Sequence, residues 1–263
     1  MNEQTVELSE DERKRLVVGQ SNYLALMFLS LLATILSSNA SWFCNFADRE
    51  ILWQPDFDKA AACAALNWTT SDYEQEVCNV FFDKQGVGFN YWYATVPVDT
   101  QVCMSYSQMI PNVGVIEAEF DAAFNAAKTF SVMANIFGYL GMLTIFFATC
   151  CPVDQNRIAG VACYFTLACV CQCFTFLIFA SNICDGGFFA QYYPGLKWDE
   201  IVAGATCSLS DGGKQSVTAS VLYALCSALA PLAVAPLPIG YRRLPADTPA
   251  YSDDNQQQPQ QTA

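Results

Sequence analysis

The sequence predicts an all-α membrane bundle of four transmembrane helices, topped by a small disulfide-stapled antiparallel β domain built from its two outer loops. Three observations carry this reading. The chain is 53% hydrophobic and only 14% charged, where a soluble domain carries about 25% charged residues. The apolar residues gather in blocks at 16–38, 129–151, 158–183 and 215–240, and none of these contains Asp, Glu, Lys or Arg. The segments between the blocks hold cysteines in even number: Cys44, Cys63, Cys78 and Cys103 in the long loop 39–128, Cys184 and Cys207 in the shorter loop 184–214.

A stretch of about 20 apolar residues, rising about 1.5 Å each, crosses the hydrocarbon core. Apart from closed barrels, only a helix satisfies its own backbone there. The blocks do not alternate apolar with polar residues, as barrel strands would. The N-terminal tail, 1–15, has an acidic run from Glu7 to Glu12 and a basic cluster Arg13-Lys14-Arg15. The first span, 16–38, is interrupted by Gln20, Ser21 and Asn22. Ser37-Ser38-Asn39-Ala40 is similar to a signal-peptidase site, and cleavage there would leave three spans. The long acidic leader favours a retained span.

Basic residues fix the orientation expected. Arg13, Lys14 and Arg15 precede the first span, Arg157 lies in the turn 152–157 between the second and third, and Arg242 and Arg243 follow the fourth. All fall on one side of a four-span chain, which by the positive-inside rule is the cytosol. Both termini are then cytosolic, in the plasma membrane or an endomembrane. The long loop, with 12 acidic and 4 basic residues, lies outside or in a lumen.

That loop is too long and too aromatic to be a connector. The pattern from Val77 to Val96 predicts a hairpin, with Val87, Phe89, Tyr91 and Tyr93 on one face at period two and Gly86 and Gly88 in the turn region before the aromatic strand. Val102 to Tyr106 supplies a third strand. Glu117 to Lys128 is Ala-rich and predicts a helix that carries the second span outward. Asn39-Ala40-Ser41 and Asn67-Trp68-Thr69 are glycosylation sequons, with Asn67 the better placed and Asn39 close to the membrane. Paired cysteines in both loops suit disulfides in an oxidising compartment. Cys184 with Cys207 is the pair expected in the second loop, because it closes that loop without help. The tail 241–263 is rich in Pro, Asp and Gln and is expected to be disordered.

Four spans, a large first outer loop, a short inner turn and a smaller second outer loop resemble the claudin-like tetraspan superfamily, which includes peripheral-myelin and epithelial-membrane proteins, receptor auxiliary subunits and fungal eisosome proteins. The loop signature of that group is a Trp, then Gly-Leu-Trp, then two spaced cysteines. Here Trp42 follows the first span, Leu52-Trp53 follows with Ile51 in place of the Gly, and Cys63 and Cys78 stand where the spaced pair would be. The resemblance implies a first loop folded as a small antiparallel sheet carrying a disulfide. Tetraspanins fit less well: their large loop lies between the third and fourth spans and carries Cys-Cys-Gly.

Composition narrows function. A net charge of −13 excludes a basic nucleic-acid face. The absence of histidine removes the commonest general base and metal ligand. There is no nucleophile–base pair, phosphate loop or metal-ligand cluster, so a non-enzymatic protein without cofactor is expected. Its partners are the lipid bilayer and a membrane protein or further copies of itself. Cys150-Cys151, at the cytosolic edge of the second span, suits S-palmitoylation. In the third span, Cys169 and Cys173 share a helix face while Cys171 points away, so packing is preferred to metal binding over Cys163, Cys169, Cys171 and Cys173. Asn135 and Gln172 are the polar side chains within spans two and three and call for partners across helix interfaces. Gly138 and Gly141, with Ala219, Ala224 and Ala228, offer close-packing surfaces, and Pro231, Pro236 and Pro238 kink or end the fourth span. Asp48, Glu50, Asp56 and Asp58 form an acidic cluster, read as a solvated face rather than a calcium loop. Phe188, Phe189, Tyr192, Tyr193 and Trp198 give the second loop an aromatic surface for a partner or the bilayer.

Overall fold

The computed structural model describes residues 10–56, 58, 84–96, 100–106, 109–110, 114–115, 120–151, 153, 155–185 and 202–236. Four helices are long and apolar enough to cross a membrane. They are α1 (Glu10–Trp42), α2 (Ala122–Cys150), α3 (Gln155–Phe174, continued by a 3-10 turn Thr175–Ala180) and α4 (Asp211–Leu229, continued by a 3-10 turn Ala230–Leu232). Each packs on its neighbour in the chain, and α4 closes the ring on α1.

The helices exceed or fall short of the apolar blocks for identifiable reasons. Helix α1 runs on to Trp42, four residues beyond the block that ends at Ser38. Helix α2 begins at Ala122, where the Asp121 side chain caps it by accepting from Phe124 N at 2.9 Å. Helix α3 starts at Gln155, so Arg157 sits in its first turn and the connection shortens to 151–154. The fourth helix stops well before residue 240. Pro231 lacks an N–H and lies in the closing 3-10 turn. The segment 233–236 then crosses the far end of the bundle. Val234 N donates to Gly19 O at 2.9 Å, and Gln155 Nε2 to Ala233 O at 2.5 Å.

At the other end stands an antiparallel sheet with strands β1 (Ala47–Trp53), β2 (Lys84–Val87), β3 (Tyr91–Val96), β4 (Thr100–Ser105) and β7 (Val202–Leu209), in the order β4-β3-β2-β1-β7. A two-stranded pair, β5 (Met109–Ile110) and β6 (Gly114–Val115), lies apart. Both loops therefore build one sheet: β1 from the first loop is an inner strand, with β2 on one side and β7 of the second loop, at the edge, on the other. The hairpin turn falls at 88–90, between β2 and β3, so Val87 and Phe89 do not continue into the strand that holds Tyr91 and Tyr93. Gly86 is a strand residue rather than part of the turn. Gly88 explains the placement. Its N–H donates to Tyr91 O at 2.9 Å, and a Cβ there would stand 2.1 Å from Phe43 O.

The sheet rests on the ends of α2 and α3 through an aromatic core. Phe46, Ile51, Val87, Phe89 and Tyr106 pack with Phe124, Ala127, Ile178 and Ile183, flanked by Phe120, Phe176 and Phe179. The Phe46 and Phe89 rings lie 4.7 Å apart, and Tyr106 Oη donates to Gly88 O at 2.7 Å. Two junctions fix the sheet to the helices. Gly212 N and Gly213 N, in the first turn of α4, each donate at 3.1 Å to Asn45 O and Phe46 O of the α1–β1 link. A Cβ on Gly213 would meet Phe46 O at 2.6 Å. Asp121 makes the second junction: its other oxygen accepts from Asn182 N at 3.0 Å, tying the start of α2 to the one-turn helix Asn182–Asp185 that follows α3.

Candidate functional site

The first site lies inside the bundle, in its sheet-side half. Four α1 residues spaced by four, three and four positions, Ser30, Thr34, Ser37 and Ser41, are buried on one face. That spacing is one helix stripe. Ser41 Oγ lies 2.6 Å from Ser131 Oγ of α2, and Asn135 Nδ2 donates to Ser41 Oγ at 2.9 Å. Ser37 Oγ lies 2.8 Å from Asn135 Oδ1 of α2 and 2.7 Å from the side-chain oxygen of Gln172 of α3. The other end of the Gln172 amide lies 2.7 Å from Ser216 Oγ of α4, which is 3.2 Å from Thr175 Oγ1. All four helices thus contribute to one connected network of uncharged polar groups.

Proton counting fixes the direction of its central bonds. A hydroxyl has one proton and cannot donate to two amide oxygens at once. The two ends of a Gln amide are assigned from their partners. With the Gln172 NH₂ donating to Ser37 Oγ, Ser37 donates to Asn135 Oδ1 and Ser216 donates to the Gln172 oxygen. Each of the three central contacts, at 2.7 to 2.8 Å, then has a donor and an acceptor. Beneath this centre Tyr223 of α4 is 0% exposed. Its hydroxyl lies beside those of Thr34 and Ser37 yet meets neither at hydrogen-bonding geometry. It presses on α2, where a Cβ on Gly138 would be 2.1 Å from Tyr223 Oη, while Gly141 makes room for Phe165 of α3 at 2.8 Å. The groups of this centre are uncharged hydroxyls and amides that join the helices.

The second site is the outer face of the sheet. Strand β1 alternates cleanly: Ala47, Arg49 and Ile51 are buried, whereas Asp48, Glu50 and Leu52 face away from the core. Asp48 and Glu50 stand opposite Ser208 and Thr206 of β7 on that outer face. Asp56 and Asp58 follow the strand and are exposed. Arg49 is only 1% exposed and sits in register with Gln85 of β2 and Cys207 of β7.

The structure brings Asn135 and Gln172 together through Ser37. It bonds Cys44 to Cys103 and Cys184 to Cys207, with Cα–Cα distances of 5.7 and 5.4 Å. Asn39 is an exposed residue of α1, and Ser41 of its sequon is buried in the network. Cys150 and Cys151 are exposed thiols at the end of α2, Cys171 is buried, and Cys163 and Cys173 face outward. Among the small residues of α4, Ala219 packs inward with Ser216, Tyr223 and Cys226, but Ala224 and Ala228 lie on the exposed side. Ala224 and Ala228 fall off the stripe set by 216, 219, 223 and 226. Cys63, Cys78, Asn67, Phe188, Phe189, Tyr192, Tyr193 and Trp198 lie outside the described residues. The hydroxyl stripe of α1 and the buried Arg49 were not foreseen. Their signals were present: period 3.6 in one, and alternation of Ala47, Arg49 and Ile51 in the other. No protein-family model matches the sequence, and no curated protein matches it.

Proposed function

We propose that this chain is a non-enzymatic, claudin-like four-span membrane protein that acts through its outer loops, as an adhesion molecule, scaffold or auxiliary subunit. The observation that carries the reading is the single disulfide-held sheet drawn from both loops, seated on four apolar helices whose interior polar groups bond to one another. A sheet built so firmly above a bundle is a surface for recognition. In this reading the sheet end faces outside or a lumen, Asn67 carries a glycan, the aromatic segment around Phe188 and Trp198 meets a membrane-protein partner, and Cys150 and Cys151 are acylated at the cytosolic edge. Purification from native membrane in mild detergent tests it. A stoichiometric membrane-protein partner or homo-oligomer is the expected result. A solitary monomer under every mild condition overturns the proposal.

The outward-facing Asp48 and Glu50 favour a second reading, a cation-selective pore formed between copies, since acidic rings select cations. The network residues Ser37, Ser131, Gln172 and Ser216 are buried inside the bundle, so in this reading the path runs between copies rather than through one. Flux through liposomes, compared with that of Asp48→Asn with Glu50→Gln, distinguishes the two readings: no flux in either leaves the recognition reading alone.

A further inference from the structure

The contacts divide the molecule in a way that the linear order of its spans does not. Helices α1 and α4 are welded at both ends. On the sheet side, β1 follows α1 and β7 precedes α4, the two strands pair along their length, and Gly212 N and Gly213 N bond to the α1–β1 link. At the far end, Val234 N bonds to Gly19 O, and Asn22 Nδ2 donates to Leu232 O at 3.4 Å. Helices α2 and α3 are joined by the short connection 151–154 at one end and by Asp121 at the other. Between α2 and α3 the described contacts are apolar or aromatic, such as Gly141 on Phe165 and the Phe130 and Phe174 rings at 4.8 Å.

Side-chain hydrogen bonds concentrate on the boundary between these two pairs. Ser37, Ser38 and Ser41 of α1 bond to α2 and α3. Tyr23 Oη donates to Ile145 O of α2 at 2.5 Å. Ser216 and Ser227 of α4 meet Gln172, Thr175 and Thr166 of α3. Gln155 of α3 donates to Ala233, beyond α4. Such bonds are individually weak in a membrane, so they can be exchanged one by one, whereas a strand pairing cannot. The Cys184–Cys207 disulfide crosses the same boundary near the sheet and ties the end of α3 to β7.

We propose that the protein moves as two bodies, α1 with α4 against the α2–α3 hairpin, with the polar seam as the interface that slips and the sheet end, where the aromatic core and the Cys184–Cys207 bond hold both pairs, as the hinge. A force on the sheet bends this hinge and shears α1 and α4 past α2 and α3. This is the small-step sliding of packed helices that many switching proteins use. The division does not depend on what the sheet binds.

Spin labels on genetically introduced residues test it in the full chain in nanodiscs. Exposed Leu31 of α1, Leu143 of α2, Leu167 of α3 and Leu225 of α4 serve as positions. Distances are read in the wild-type background, in Ser37→Ala and in Gln172→Leu. The expected result is a shift or broadening of about 1–2 Å in the 31–143 and 167–225 pairs, with 31–225 and 143–167 unchanged. Equal change in all four pairs, or change confined to 31–225 or 143–167, overturns the proposal. So does no change in any pair. Ser37→Ala guards against a folding defect, because it removes one hydroxyl and leaves the packing in place.

Discussion

Ser37 bonds to two helices at once, and the cost of losing it follows from its partners. Ser37→Ala leaves Asn135 and Gln172 each short of one hydrogen bond in a buried place, at about 0.6–2 kcal/mol per bond. The same loss is expected in Gln172→Leu, with Ser216 also orphaned. The two changes share partners, so the double variant costs less than their sum. Unfolding in detergent by a graded denaturant measures this; strict additivity contradicts the connected network. Tyr223 predicts the opposite sign. Its hydroxyl makes no hydrogen bond in a buried site, so Tyr223→Phe is neutral or stabilising by up to about 1 kcal/mol. Gly138→Ala, by contrast, drives a methyl onto that oxygen and costs about 1–3 kcal/mol. The penalty shrinks in the Tyr223→Phe background, because the oxygen that it strikes is gone, although the ring carbon at 2.8 Å remains. An unchanged penalty in that background contradicts the contact. Residue by residue, sequence reasoning reached Asn135 and Gln172 because an amide in an apolar block stands out. It passed over the serines, because single hydroxyls are common in membrane helices and only their spacing sets them apart.

Among the elements, the spans were the most legible part of the chain and the outer strands the least. Absence of charge over about 20 apolar residues is the strongest local signal in this chain. Strand β1 is short, carries three charges in seven residues (Asp48, Arg49 and Glu50), and reads locally as a solvated acidic turn. Its place inside a sheet is decided by partners distant in sequence, β7 above all, and no local pattern reports a pairing across about 150 residues. The turn region expected at Gly86 and Gly88 falls at 88–90: two glycines compete, and the approach of Phe43 O to Gly88 decides between them. Asp121 shows what one cap can do for an element. It accepts at the start of α2 and again from Asn182. Asp121→Ala costs about 1–2 kcal/mol, and hydrogen exchange should rise at Phe124 and Asn182 together. Protection lost at only one of the two would mean that the carboxylate is not a shared cap.

For the whole molecule the question is which end faces outward. The arrangement itself supplies the argument. Both described disulfides lie at the sheet end, and such bonds persist in oxidising compartments. By the chain-entropy account they stabilise by about 3–4 kcal/mol each for loops of this length, so a reducing compartment would forfeit much of what holds the outer domain together. Cys150 and Cys151 are exposed at the opposite end and are not bonded, as thiols are kept in a reducing cytosol. Lys14, Arg15 and Arg157 lie at that end too, where the positive-inside rule puts basic residues. Redox chemistry and charge bias are independent of each other and agree. In sealed microsomes, protease should therefore remove both tails and spare the loops, Asn67→Gln should abolish a glycan-sized mass shift, and hydroxylamine should release thioester-linked acyl groups from wild type but not from Cys150→Ser with Cys151→Ser. Protected tails with digested loops would invert the topology. That outcome would place two disulfides in a reducing compartment and two exposed thiols in an oxidising one, which is why the orientation with the sheet outside is the one physical chemistry favours.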